Sequence, residues 1–245
     1  MKIKICGLTR PEEANYINDN YVDYAGFVFY EPSKRNLSIP QAEDIMKCLN
    51  ADVKKVAVLV SPDVDIIEKL QQLPFDVLQI HKNLSEEVLR AAKLPVWYAI
   101  NVADEDEALK KKQYIDELPD NLADKIDAVV VDAPVFGSGQ TFNWRKSRRL
   151  LKAGAQSPPG NAEADETINQ SSAEADGNDD SEMTQSSFLE GKKFVLAGGL
   201  NPENVKEGIE IFNPDIVDVS SGVEGSSGKD EAKIKAFVNA TRGNA

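Results

Sequence analysis

The chain has 245 residues, with 28 Lys plus Arg against 41 Asp plus Glu and a single His, for a formal net charge of −13. Phosphate counterion release rewards basic surfaces, so nucleic-acid binding is disfavoured; two Cys and one His exclude a disulfide framework and the common zinc sites. At 41% hydrophobic the chain can bury a sizeable core, and its length suits one domain or two.

The start, MKIKICGL, is strand-like and lacks the apolar stretch of a signal peptide. Apolar runs such as 56–60 span about five residues, far short of the ~20 that a membrane helix requires. No membrane association and a reduced, cytoplasmic location are therefore expected. From this start, β-branched and aromatic runs alternate with helix-like segments. Strand 2–6 leads into a helix over 11–20, strand 23–29 into 40–49, strand 54–60 into 62–73, and strand 76–81 into 85–92. Strand 95–100 is followed by a helix over 104–114, and strand 127–132 by one over 144–152. Strand 193–198 with helix 202–211 and strand 215–220 with helix 229–240 complete the series. Several helices are expected to begin with Pro after a capping residue, as at Ser61-Pro62 and Asn201-Pro202.

Between the sixth helix and the seventh strand the composition breaks. Residues 154–191 hold nine acids, no Lys or Arg, and no Tyr or Trp. Such a segment buries too little apolar surface to offset its ordering entropy, and a disordered acidic insertion is expected there. Outside it 32 acids face 28 bases, a balance of only −4. Strict βα alternation implies parallel strands joined by right-handed crossovers. Eight units in about 207 residues favour an α/β fold of the (β/α)₈ TIM-barrel type, a single domain over 1–245, above an open doubly wound sheet.

In such a barrel the reacting groups gather at the carboxyl ends of the strands. Cys6, Gly7 and Arg10 follow the first strand, and Ser33, Lys34 and Arg35 the second. Gln79 and His81 close the fourth and Asp132 the sixth. After the seventh strand, Gly198-Gly199 runs into a helix start; after the eighth comes Ser220-Ser221-Gly222. Glycines let backbone N–H groups approach an anion, and a phosphate held between the last two loops is a recurring feature of these barrels. A small phosphorylated ligand is the partner these loops suggest. The stretch over 137–142, GSGQTF, lacks the third Gly of a dinucleotide fingerprint and the Lys of a P-loop, and reads as a loop beside the site.

Cys6 and Asp132 reach the same rim from different strands, as a proton-abstracting thiolate and a proton-delivering acid would. Taken singly, a strand-end Cys is more commonly a small buried hydrophobe, and a strand-end Asp a cap; Cys48 belongs to a helix core. Period-two alternation puts Lys4 on the face of Cys6 and Asp218 on that of Ser220. The first and last strands adjoin when a barrel closes, so Lys4 and Asp218 are expected to form an interior ion pair below Cys6, with Lys4 helping to lower the thiol pKa. Arg35 has the planar fork that suits a carboxylate. Lys146, Arg148, Arg149 and Lys152 are assigned to a solvated helix face.

Several motifs in order then resemble the phosphoribosylanthranilate isomerase family: KICGLTR at 4–10, GFVF at 26–29 with Ser33-Lys34-Arg35, and LQIH at 78–81. GSGQTFNW at 137–144, AGGLNPENV at 197–205 and VDVSSGVE at 217–224 extend the likeness over the chain outside the insertion. The resemblance implies a cofactor-free, metal-free Amadori rearrangement in tryptophan biosynthesis. It implies Cys6 as general base, Asp132 as general acid and Arg35 on the anthranilate carboxylate. Gly198, Gly199, Asp218, Ser220, Ser221 and Gly222 become the remaining substrate-binding positions, and the oligomeric state is left between monomer and homodimer. The chain departs from the family pattern at Lys82-Asn83 and Phe136, where Gly is usual, and at Asn143, where Asp is common. Another sugar-phosphate isomerase on this barrel, or a non-catalytic phosphate-binding barrel, is the alternative. The histidine-biosynthesis isomerase carries an Asp in the place of Cys6, and an idle barrel has no need to keep Cys6 or Asp132.

Overall fold

The structure, a computed structural model, describes residues 1–101, 105–132 and 191–243. Eight strands close in chain order into one parallel barrel: β1 (Lys2–Cys6), β2 (Tyr24–Phe29), β3 (Lys54–Val60), β4 (Val77–His81), β5 (Val96–Asn101), β6 (Ile126–Asp132), β7 (Lys193–Leu196) and β8 (Ile216–Val219). The described helices are α1 (Glu12–Asp19), α2 (Ile39–Met46), α3 (Val64–Leu70), α4 (Glu86–Ala91), α5 (Glu105–Glu117), α6 (Asp120–Ala123), α7 (Val205–Phe212) and α8 (Glu231–Arg242). The four-residue α6 and a ribbon of β9 (Glu224–Gly225) with β10 (Gly228–Lys229) are additions to the expected pattern. The expected helix over 144–152, the 137–142 loop, the basic cluster from Lys146 to Lys152 and the insertion over 154–191, apart from Gly191, lie outside the described residues.

Alternation along each strand sorts the side chains into two cores. Ile3, Ile5, Leu78, Ile80, Val129, Val131, Val217 and Val219 face outward into the layer between sheet and helices. Inside the barrel, Val56, Val58, Trp97, Ala128, Val130, Val195 and Ile216 fill the space, with Tyr24 tilted against Trp97 at 5.0 Å between ring centroids. Toward the carboxyl ends, the inward Gln79, His81, Asp132 and Asp218 are polar and buried, beside the apolar Val28, Val60 and Ala197. The interior below is thus apolar apart from the buried Lys4, and polar side chains gather at the upper rim.

The helix starts differ from expectation in ways that matter for the rim. At α3 the cap is Asp63, whose carboxylate accepts the Ile66 N–H at 3.0 Å, so the helix begins at Val64 and Ser61 sits in a turn with φ 45°. Asn201 instead caps a turn, accepting the Glu203 and Asn204 N–H groups at 2.9 and 3.0 Å ahead of α7. Lys229, expected to open the last helix, belongs to β10. Asp230 caps α8 by accepting the Lys233 N–H at 2.9 Å. No helix among the described residues is long and apolar enough to cross a membrane.

Candidate active site

A cavity of about 470 Å³ opens at the carboxyl ends of the strands, within the range usual for small-molecule sites. Cys6, Arg35, Asp132, Gly198, Gly199, Asp218, Ser220 and Ser221 all line it. Of the nine expected site positions only Gly222 stands back from the cavity. It lies where the last two loops touch: a Cβ there would run into the Leu200 carbonyl and stand 2.9 Å from Asn201 Cβ.

Strands β1 and β8 pair with Lys4 opposite Asp218, and the expected interior ion pair spans 2.8 Å between Lys4 Nζ and Asp218 Oδ2. Lys4 is fully buried. Gly26 of β2, opposite Cys6, makes room for both side chains, since a Cβ there would stand 2.9 Å from Cys6 Sγ and 3.1 Å from Lys4 Nζ. Burial opposes the charge on Lys4, yet Asp218 and Cys6 together hold its pKa above the ordinary lysine value. Lys4 acts on the thiol in the expected direction, but the net shift of Cys6 is upward. Burial pushes the Cys6 thiol up and Asp218 adds to this; Lys4 and Lys229 pull it down without reversing the sign. Asp218 keeps its second oxygen, Oδ1, without a hydrogen bond in the buried site.

On the other side, β4 and β6 bring Gln79, His81 and Asp132 together. His81 Nδ1 stands 4.0 Å from Asp132 Oδ2, and Gln79 Nε2 lies 2.9 Å from His81 Nε2. With the amide donating, the imidazole proton sits on Nδ1, toward Asp132. Burial, with Lys4 and Lys111 adding to it, lowers the His81 pKa to about 3, so the ring is neutral at physiological pH.

Arg35 presents its fork as expected, but the carboxylate it grips belongs to Glu224. Nε meets Oε1 at 2.5 Å and a terminal nitrogen meets Oε2 at 3.1 Å. Lys34 and Lys229 close on the same carboxylate at 2.9 and 3.0 Å. Burial acts to raise the Glu224 pKa, but Arg35, Lys229 and Lys34 hold it down at about 2. The sequence reading assigned no role to Glu224 or Lys229. Glu224 ends the VDVSSGVE motif, the one visible signal; Lys229 falls in a stretch that reads as a helix.

The loop after β7 turns on two successive left-handed glycines. Gly198 and Gly199 take φ of 84° and 70° in succession, and the Gly199 carbonyl is tied to Asn204 Nδ2 at 3.0 Å. Successive turn-like residues of this kind aim their N–H groups into one concavity. Ser220 donates its hydroxyl to the Cys6 carbonyl at 2.9 Å, tying the eighth loop to the first.

Comparison with known proteins agrees with this geometry. The family model described as N-(5′-phosphoribosyl)anthranilate (PRA) isomerase matches residues 3–157 and 171–240. The N-(5′-phosphoribosyl)anthranilate isomerase of Thermoanaerobacter pseudethanolicus is 34% identical, covering 99% of this chain and 98% of that one. A crystal structure of phosphoribosyl anthranilate isomerase in complex with reduced 1-(o-carboxyphenylamino)-1-deoxyribulose 5-phosphate superposes with a TM-score of 0.69 at 26% identity, over 99% of both chains. Crystallised monomers of the dimeric enzyme from Thermotoga maritima give a TM-score of 0.69 at 27% identity, again over 99% of both chains. The chain belongs to the phosphoribosylanthranilate isomerase family and is an isomerase of tryptophan biosynthesis.

Proposed function

We propose that Asp132 and Cys6 are the acid and base of the Amadori rearrangement that turns N-(5-phosphoribosyl)anthranilate into the 1-(2-carboxyphenylamino)-1-deoxyribulose phosphate. The observation that carries this is that both side chains, from β6 and β1, line one cavity with the glycine loops on its wall. Asp132 protonates the ribose ring oxygen, the ring bond to the anomeric carbon breaks, and the amine lone pair forms an iminium. That cation acidifies the neighbouring sugar carbon, and the Cys6 thiolate removes its proton. The enolamine then tautomerises to the ketone. Each positioned proton transfer of this kind contributes roughly 10²–10⁴-fold.

The remaining roles follow from charge. The loops at Gly198-Gly199 and Ser220-Ser221-Gly222 hold the phosphate through backbone N–H groups. The crystallised relative bound to a phosphorylated product analogue supports that assignment. Arg35 takes the anthranilate carboxylate, and Asp218 Oδ1 accepts from a sugar hydroxyl. Because every residue named comes from one chain, a monomer or a homodimer can carry the site, and a reduced cytoplasmic setting suits a thiol base. The break in the family match over 158–170 falls within the acidic insertion over 154–191 of a single barrel domain, 1–245. Deleting that insertion is expected to leave turnover intact.

The test is fluorescence-monitored turnover of freshly generated substrate by folded Cys6→Ser and Asp132→Asn variants. Loss of about 10²-fold or more in each is expected; full activity in either removes that residue's role.

A further inference from the structure

Lys229 is a buried cation that neither gives nor takes a proton in the transfers above, although its charge acts to lower the Cys6 thiol. Its side chain is 1% exposed and does not line the cavity, whereas Ser220 and Ser221 do. It approaches the eighth loop from behind: Nζ donates to the Ser220 carbonyl at 3.1 Å and to the Ser220 hydroxyl at 3.3 Å. Both ends of the residue are fixed. The Lys229 N–H donates to Glu13 at 2.8 Å, and the same carboxylate accepts the Thr9 N–H at 2.7 Å in the first loop. Glu224, which also clamps Arg35, takes the third direction of the ammonium at 3.0 Å.

The planar trans peptide turns these contacts into a directional device. The carbonyl of Ser220 and the N–H of Ser221 belong to one peptide unit and point in opposite directions, and no described peptide bond is cis. The backbone leaves the strand at Ser220, with φ −125° and ψ −81°. With the carbonyl drawn back to Lys229, the Ser221 N–H is turned away from the lysine, which stands behind a loop whose Ser220 and Ser221 line the cavity. A buried ammonium behind the loop also adds positive potential where a dianion would sit.

We propose that Lys229 is the positioning residue of the phosphate subsite, holding the Ser220–Ser221 peptide from behind so that its N–H faces the phosphate. This rests on the reading of the last two loops as the phosphate site. The probe is inorganic phosphate, used as a competitive inhibitor of turnover. In a folded Lys229→Met variant its Ki and the substrate KM are expected to rise together by at least tenfold. kcat at the variant's own pH optimum should fall less than fivefold. Lys229→Arg, which keeps the charge and donors, is expected to restore most of the loss. A wild-type Ki in the folded Met variant, or a loss confined to kcat, overturns the proposal. Should the Met variant not fold, amide NMR of the wild-type protein decides. Phosphate is expected to move the Ser221 amide proton downfield, and an unmoved resonance overturns the assignment. If phosphate fails to inhibit the wild-type enzyme at all, the fault lies with the phosphate reading of the loops. Normal wild-type inhibition with an unchanged Ki in the variant counts against Lys229 alone.

Discussion

The wall built from β1, β2 and β8 packs Lys4, Arg35 and Lys229 around Cys6, Asp218 and Glu224, whereas the wall from β4 and β6 sets Asp132 beside a neutral His81 and the Gln79 amide. The charged wall is held in pairs: Lys4 with Asp218, and Arg35, Lys34 and Lys229 on one Glu224. Pairing of this kind is poor evidence of stabilisation, because desolvation consumes most of the Coulomb attraction. Its use is organisational. A buried thiol ionises only where cations stand close, and a phosphate with a carboxylate at the other end of the ligand demands fixed positive charge. The opposite wall holds an imidazole that stays uncharged at physiological pH beside Asp132.

Beyond loss of Cys6 or Asp132, the proposed base and acid, the largest effect on this contrast is expected from Arg35→Ala. Charge-assisted hydrogen bonds are worth about 1.5–3 kcal/mol, so KM is expected to rise by roughly 10- to 150-fold with kcat changed much less. Steady-state kinetics check this, and unchanged constants would remove Arg35 from binding. Next comes Lys4→Met. Lys4 pulls the buried thiol down, so its removal should move the pH at which kcat/KM rises to higher values, with activity recovered as pH increases. A pH–rate profile identical to wild type would show that Lys4 does not act on Cys6.

Acid stability distinguishes the walls by pH window. The folded His81 pKa of about 3 lies below its ordinary 6.5, so below pH 6.5 the unfolded chain takes up a proton that the folded site refuses. The stability this represents is complete above pH 6.5 and is lost as pH falls toward 3. Glu224, held at about 2 against 4.5, has the same sign in the window from 4.5 down to 2. Urea unfolding at a series of pH values should therefore lose slope between pH 6.5 and 4.5 in His81→Gln, while Glu224→Gln alters only the lower window. The smallest effect is Lys82→Gly. Lys82 stands at φ 61° on the cavity rim, a conformation costing roughly 1–2 kcal/mol for a residue with a Cβ. After the extra chain entropy of Gly, a gain of about 0.5–1 kcal/mol in unfolding free energy is expected, read as a higher urea midpoint; a loss would mean that the lysine side chain is structurally engaged.

Periodicity located the eight strands and the rim positions of Cys6, Arg35, Asp132 and the two glycine-bearing loops, and the count of units against length favoured a barrel over an open sheet. Inward and outward positions alternate along a strand, and closure obliges the first strand to meet the last. For that reason even the Lys4–Asp218 pair, 214 positions apart, was legible before any coordinates. What only the tertiary structure decided lies where no period operates. Glu224 reaches Arg35 across 189 positions from a two-residue ribbon, and Lys229 comes up behind the eighth loop instead of opening a helix. The direction of the Cys6 shift was equally hidden, because it depends on how completely the packed barrel removes water from the thiol, a sum over every neighbour that a linear reading does not contain.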